Sequence, residues 1–398
     1  MSEMTMEKPQ MPEDQVDQSG RGAGQGAVSK ICGAAAGVFC LAMTLVLLMV
    51  LLLSAGSKTA GAKANVQNAT IMDKFDMYMT NEISSALEGV LAIEKVYWLS
   101  DSDLVAPEPN PSCYGQADSP SEIMWLLDEA AELIGGQEML FNENTPVWEG
   151  DKIYYYYDET ILVITWKEIR DRSVFTISEV KISHPSQFRR FLADGKYGSD
   201  KQYATTEMAA SVNAVVASSG DFYKFRNYGT IVYEGEVQRF EGHYVDTCFI
   251  TDEGDLLFAY QDQLTSEEEA KQFVEDNNIR FSLAFGPVLV DNGEMVQIIN
   301  YPLGEIDREY SRAALCQMDD LHYLLVNCCG ESSYQGRQRI TTFARYIAEL
   351  GCEKAYALDG GQTTVIAMND EMISSVDFGT QRMISDIIYF ATAVPEGG

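Results

Sequence analysis

Apolar residues change their spacing several times along the chain, and each change marks a different kind of element. Ile31 to Ala55 carries no charged residue at all, and as a helix these positions would span about 37 Å, enough to cross a hydrocarbon core of about 30 Å. Farther on, Met72, Phe75, Met79, Ile83, Leu87 and Val90 recur at helical spacing and predict an amphipathic helix. Pro107, Pro109, Pro111 and Pro120 break that pattern, and a short helix is predicted from Ser121 to Ile134, closed by Gly135-Gly136. From Lys152 the texture becomes runs of β-branched and aromatic residues. Strands are predicted at Lys152 to Tyr157, Thr160 to Trp166, Val174 to Ile182, Ala214 to Ala217 and Thr230 to Tyr233. More follow at Tyr244 to Ile250, Leu256 to Tyr260, Val288 to Val290, Met295 to Ile299, Ala313 to Met318 and Tyr323 to Cys328.

Helices interrupt these strands near Pro185 to Leu192, at Thr206 to Asn213 and at Thr341 to Leu350. The last has Phe343, Ile347 and Leu350 on one face and Gly351 as its stop, and Lys354 to Leu358 then reads as a strand. Asn292-Gly293 and Asn369-Asp370 predict hairpin turns. The fold class that results is α+β, with a large, mainly mixed sheet over residues 150–398. Ahead of it lie a polar tail (1–29), a membrane helix (30–56) and a helical stalk with a Pro-rich linker (57–149).

Composition narrows what the domain does. The chain has 398 residues, 60 acidic against 28 basic, for a net charge of -32 with no Lys/Arg cluster, which excludes nucleic acid as a partner. A cleaved signal peptide competes with the membrane helix, because Ala60-Gly61-Ala62 imitates a cleavage site. The thirty-residue polar lead argues against cleavage. Lysines and arginines balance across the span, so charge leaves its orientation open. Cys113, Cys248, Cys316, Cys328, Cys329 and Cys352 are too scattered for a disulfide framework. The three histidines lack ligand spacing, so neither a metal nor another cofactor is expected.

Candidate chemistry concentrates near the end of the chain. Asp359 follows a strand, and Gly360 and Gly361 beside it permit a sharp turn and a close approach to a ligand. Thr363 and Thr364 add hydroxyls, and Arg382 with Ser385 and Asp386 lies a short distance beyond. A capping role for Asp359 and an ion pair between Arg382 and Asp386 are the structural alternatives.

Five motifs in order, Ser219-Gly220-Asp221-Phe222-Tyr223, Phe285-Gly286-Pro287-Val288-Leu289-Val290, Tyr310-Ser311-Arg312-Ala313-Ala314, Leu358-Asp359-Gly360-Gly361 and Arg382 with Ser385-Asp386, resemble the phosphodiester glycosidase family over residues 150 to 394. The resemblance implies hydrolysis of a glycosyl-1-phosphodiester of the N-acetylglucosamine type. A membrane-tethered bacterial member would place its C-terminal domain outside the cytoplasm, acting on envelope glycans such as exopolysaccharide. Asp359 is then the first choice of catalytic carboxylate, with Asp221 and Asp386 as further candidates. Arg312 and Arg382 clamp the phosphate, while Gly360, Gly361, Thr363, Thr364, Ser385 and Ser219 line the site. Departures fall inside the motifs: Ser219 replaces the usual Asn, Gln362 a third glycine, Cys316 a glycine and Cys329 an Asp. They leave a second implication standing, a glycan- or partner-binding module without turnover.

Overall fold

The computed structural model describes residues 97–98, 105–134, 139–302, 306–329 and 336–395. The apolar run at 31–55 and the helix at 72–90 lie outside these residues. No helix among the described residues is long and apolar enough to cross a membrane.

Among the described residues, a nine-stranded sheet runs edge to edge through Glu294–Met295, Val288–Asp291, Lys354–Leu358, Arg312–Asp319, His322–Cys329, Ser173–Ile182, Ile161–Arg170, Ile153–Tyr157 and Tyr114–Ala117. Its central strands are buried on both faces, which is why they read as near-continuous apolar runs. Side chains alternate strictly: Ala314, Cys316, Leu324 and Val326 meet one core, and Ala313, Leu315, Tyr323 and Leu325 the other. Helix Ile340–Glu349 covers the first face with Ile340, Phe343, Ala344 and Ile347, spaced three and four apart. Burial of each of the larger side chains, Ile340, Phe343 and Ile347, contributes about 1.5–3 kcal/mol.

The second face packs through Val288, Leu315 and Leu325 onto Val216, Ile366, Met368, Ile388 and Phe390 of a five-stranded sheet. That sheet runs Glu371–Met372, Ile366–Met368, Val216–Ser219, Asp386–Phe390 and Phe188–Leu192. A three-stranded sheet (Leu256–Ala259, Thr247–Thr251, Ile279–Leu283) completes the layers that frame the site.

The α+β class holds, but every ladder in these sheets is antiparallel, where mixed pairing was expected. Several neighbours are joined by tight turns, which allow no parallel crossover. Asn292-Gly293 and Asn369-Asp370 are two of them, each with both residues at positive φ. The segment expected as a helix from Pro185 is one 3-10 turn, Pro185–Gln187, followed by strand Phe188–Leu192. Phe188, Arg190 and Leu192 alternate inward, a period of two that outweighs the helix signal. Strand Glu294–Met295 stops short of Ile299, which is 69% exposed. Helix Glu267–Asp276 was not anticipated. Ser266 caps it by accepting a hydrogen bond from the Glu269 amide, and three glutamates occupy its first turn.

Candidate active site

The ends of several strands converge where the two large sheets meet. Leu358 pairs with Ala313, so the chain leaves the centre of the nine-stranded sheet beside Arg312, while Ser219 pairs with Ile387 in the smaller sheet. The turn after Leu358 is packed tightly: the Gly361 amide donates to the Ser311 carbonyl at 2.9 Å, and a Cβ on Gly360 would run into that same carbonyl oxygen. Gly361 sits at φ 69°, a conformation glycine adopts without strain.

Asp359, at the start of this turn, forms an ion pair with Arg382 Nη2 at 2.5 Å. The Asp359 side chain is 12% exposed and that of Arg382 is 42% exposed, so the carboxylate is recessed and the cation faces solvent. Burial lifts the Asp359 carboxyl to about 6, while Arg382, the Thr363 hydroxyl and Arg226 pull in the opposite direction. Its ionisation therefore falls close to neutral pH, where a proton-transfer group is most effective.

Beneath this pair lies a second ionic cluster with no solvent contact. Arg190 Nε donates to Asp386 Oδ2 at 2.9 Å, and Arg190 Nη2 lies 3.1 Å from Asp221 Oδ2. All three side chains are fully buried. Asp221 also accepts from the Ala284 amide at 2.8 Å and from the Tyr223 amide, and its own amide donates to Asp386 Oδ2 at 3.1 Å. Burial foremost, and then the charge of Asp221, push the Asp386 carboxyl up to about 7 against the pull of Arg190. A Cβ on Gly220 would collide with the Asp386 carboxylate, so the glycine keeps this cluster closed.

The predicted residues thus separate into groups. Asp359, Gly360, Gly361, Thr363 and Arg382 share one turn region. Asp221 and Asp386 belong to the sealed cluster, and the partner of Asp386 is Arg190 while Arg382 pairs with Asp359. Arg312 points elsewhere: its Nε donates to the Gln338 carbonyl at 3.0 Å and Nη2 to the Arg308 carbonyl at 2.7 Å. Thr363 and Thr364 donate their hydroxyls to the carbonyls of Gly360 and Gly361, and the Ser219 hydroxyl donates to the Thr363 carbonyl. These three hydroxyls hold the loop's own backbone. Ser385 is buried next to the cluster, its hydroxyl beside the Tyr223 phenol. Cys329 is buried with Sγ 3.7 Å from Asp377 Oδ1, its thiol pushed up to about 11 chiefly by burial.

Sequence reasoning missed Arg190, which lies in the segment read as helical, and Arg226, which lies outside every motif. Arg226 is set by a tight turn in which its amide donates to the Phe222 carbonyl at 3.2 Å.

Residues 212–391 match the family model described as phosphodiester glycosidase. They belong to the phosphodiester glycosidase family. The matched stretch runs from Val212, seven residues before Ser219, to Ala391, one residue past strand Asp386–Phe390, and so contains Asp221, Arg312, Asp359 and Arg382. No curated protein matches the chain. Among solved structures, the chain is similar to a hypothetical protein from Synechocystis (14% identity, TM-score 0.42, 62% of this chain and 64% of that one). It therefore spans less than two thirds of that protein. It is also similar to the catalytic domain of zebrafish N-acetylglucosamine-1-phosphodiester alpha-N-acetylglucosaminidase, auto-inhibited by its pro-peptide (18% identity, TM-score 0.45, 73% and 99% covered).

Proposed function

We propose that this phosphodiester glycosidase domain hydrolyses a glycosyl-1-phosphodiester of the N-acetylglucosamine type, with Asp359 as its working carboxylate and Arg382 as the phosphate clamp. The observation that carries this reading is the recessed Asp359 ionising near pH 6 beside a solvent-facing guanidinium. Water attacks the anomeric carbon and gives its proton to Asp359. The bond from that carbon to the phosphate oxygen breaks, and its electron pair leaves on a phosphomonoester. Because that leaving group is already good, positive charge on its oxygens matters more than protonation. A planar guanidinium holds two phosphate oxygens at once and so suits the task.

The uncharged run at 31–55 supports a single-pass anchor; the placing of residues 150–398 outside the cytoplasm, facing envelope glycans, rests on the family resemblance alone. A binding module without turnover is the second reading. It is favoured by one observation: Ser219 and Thr364 spend their hydroxyls on the loop's backbone. Sugar release from a panel of glycosyl-1-phosphodiesters, run beside Asp359→Asn and Arg382→Ala, separates the two. Release abolished in both folded variants is the expected result. Saturable binding with no release from the unaltered protein would overturn hydrolysis in favour of the binding module.

A further inference from the structure

The two loops that meet at the candidate site are tied together by a carboxylate outside all five motifs. Asp377 lies five residues before Arg382, in the 3-10 turn Asp377–Gly379, and its side chain is buried. Its Oδ1 accepts the Ser311 hydroxyl at 2.5 Å, and its Oδ2 lies 2.7 Å from Arg337 Nη2. Ser311 is in turn the residue whose carbonyl accepts the Gly361 amide and closes against Gly360. Through that one intervening residue, Asp377 grips the turn that begins at Asp359.

The cation of the pair depends on the same anchor. The Arg382 amide donates to the Gln362 carbonyl at 3.0 Å, and Gln362 Nε2 donates to the Thr380 carbonyl at 3.1 Å, so the far end of the 377–382 segment is laced to the Asp359 turn. Its near end is fixed by Asp377, and Arg337 lies 5.6 Å from the centre of the Phe378 ring. Between the two ends, Phe378 sits at φ 62°. A bulky residue keeps that left-handed conformation only where its surroundings impose it, and such positions cluster at functional sites. The Phe378 ring is 58% exposed, so core packing does not impose it; the anchored residues on either side do.

Building on the glycosidase reading above, we propose that Asp377 is a positioning residue of the active centre. It fixes the Asp359 turn through Ser311 and the Arg382 segment through its own backbone, so that carboxylate and cation meet. Its oxygens are engaged by Ser311 and Arg337, and it acts through Asp359 and Arg382 rather than on the substrate.

The test follows the ionisation of Asp359 in the full chain. It is read from the acid limb of the pH profile of sugar release and from carboxyl-carbon NMR of aspartate-labelled protein, the Asp359 signal being the one absent from Asp359→Asn. Burial raises the Asp359 carboxyl, and Arg382, ahead of the Thr363 hydroxyl and Arg226, favours its ionised form. Asp377→Ala lets Arg382 move away, so Asp359 should titrate about one pH unit higher. Sugar release should fall roughly 10- to 100-fold, as expected for a misplaced reacting group. Loss of a negative charge without movement would shift Asp359 the other way, to lower pH. Asp377→Asn keeps an oxygen for Ser311 but loses the charge facing Arg337. It should give a smaller rise, and it carries the test if Asp377→Ala melts early. An Asp359 titration that is unchanged or lowered in the folded variants overturns the assignment, whatever stability they lose. A rise in a protein that releases no sugar sustains the assignment while removing the hydrolytic reading.

Discussion

Two arginine–aspartate arrangements lie one above the other, and they differ in the one respect that separates chemistry from architecture. Arg190, Asp221 and Asp386 are wholly buried, and Arg190 and Asp221 also bond to backbone groups. Asp359 and Arg382 form a single contact, with the cation 42% exposed. The inner cluster sustains geometry and has nothing to offer a ligand. The outer pair presents its cation to solvent, which is what the proposed phosphate contact needs.

The strongest way to break this comparison is to remove the inner cation. Arg190→Met leaves two buried carboxylates facing each other and should cost ~3–5 kcal/mol, read as a drop in the urea midpoint. A loss of under ~1 kcal/mol would show that the cluster does not hold the fold. In the outer pair the ranking reverses. Asp359→Asn should leave stability within ~1 kcal/mol, as for an ion pair with an exposed partner, yet lower sugar release by roughly 10²–10⁴-fold.

A pH series sharpens the contrast. The Asp386 carboxyl titrates near 7 in the folded protein against 3.8 ordinarily, so the folded state holds a proton that the unfolded chain has released. Stability from this group is complete below about 3.8 and is lost as pH rises through about 7. Asp386→Asn should therefore gain on the unaltered protein as pH increases over that window, followed by thermal midpoints at each pH. A gap that stays flat would contradict the upward shift. The smallest effect is expected at Thr364→Val, which removes the hydroxyl bond to the Gly361 carbonyl and should cost about 1 kcal/mol in the same melts.

Much of the frame was legible because local chemistry dictated it. Strand Lys354–Leu358 lies at its expected bounds, and helix Ile340–Glu349 begins and ends one residue before the expected limits. Gly351 and the two Asn-led turns mark places where only certain residues tolerate positive φ. The strand end just before Asp359 was legible from the two glycines that follow it. What stayed hidden depended on contacts between distant segments. The direction of the Arg312 side chain is set by Gln338 and Arg308, and Arg190 meets Asp386 only because strand Phe188–Leu192 pairs with strand Asp386–Phe390. Helix Glu267–Asp276 is different, since the Ser266-to-Glu269 spacing that starts it is a local signal present in the sequence.

The pairing of Asp386–Phe390 between Val216–Ser219 and Phe188–Leu192 has a consequence for assembly. Arg190 and Asp386 are 196 residues apart in the chain, and Asp221 and Asp386 are 165 apart. Contacts this remote require large loops to close first, which slows folding. During synthesis, Asp221 and Arg190 emerge long before the carboxylate that completes their cluster, so the place between Val216–Ser219 and Phe188–Leu192 is filled last. Strand Asp386–Phe390 follows closely on Arg382, so the buried cluster and the Asp359–Arg382 pair are completed by the same last stretch of chain.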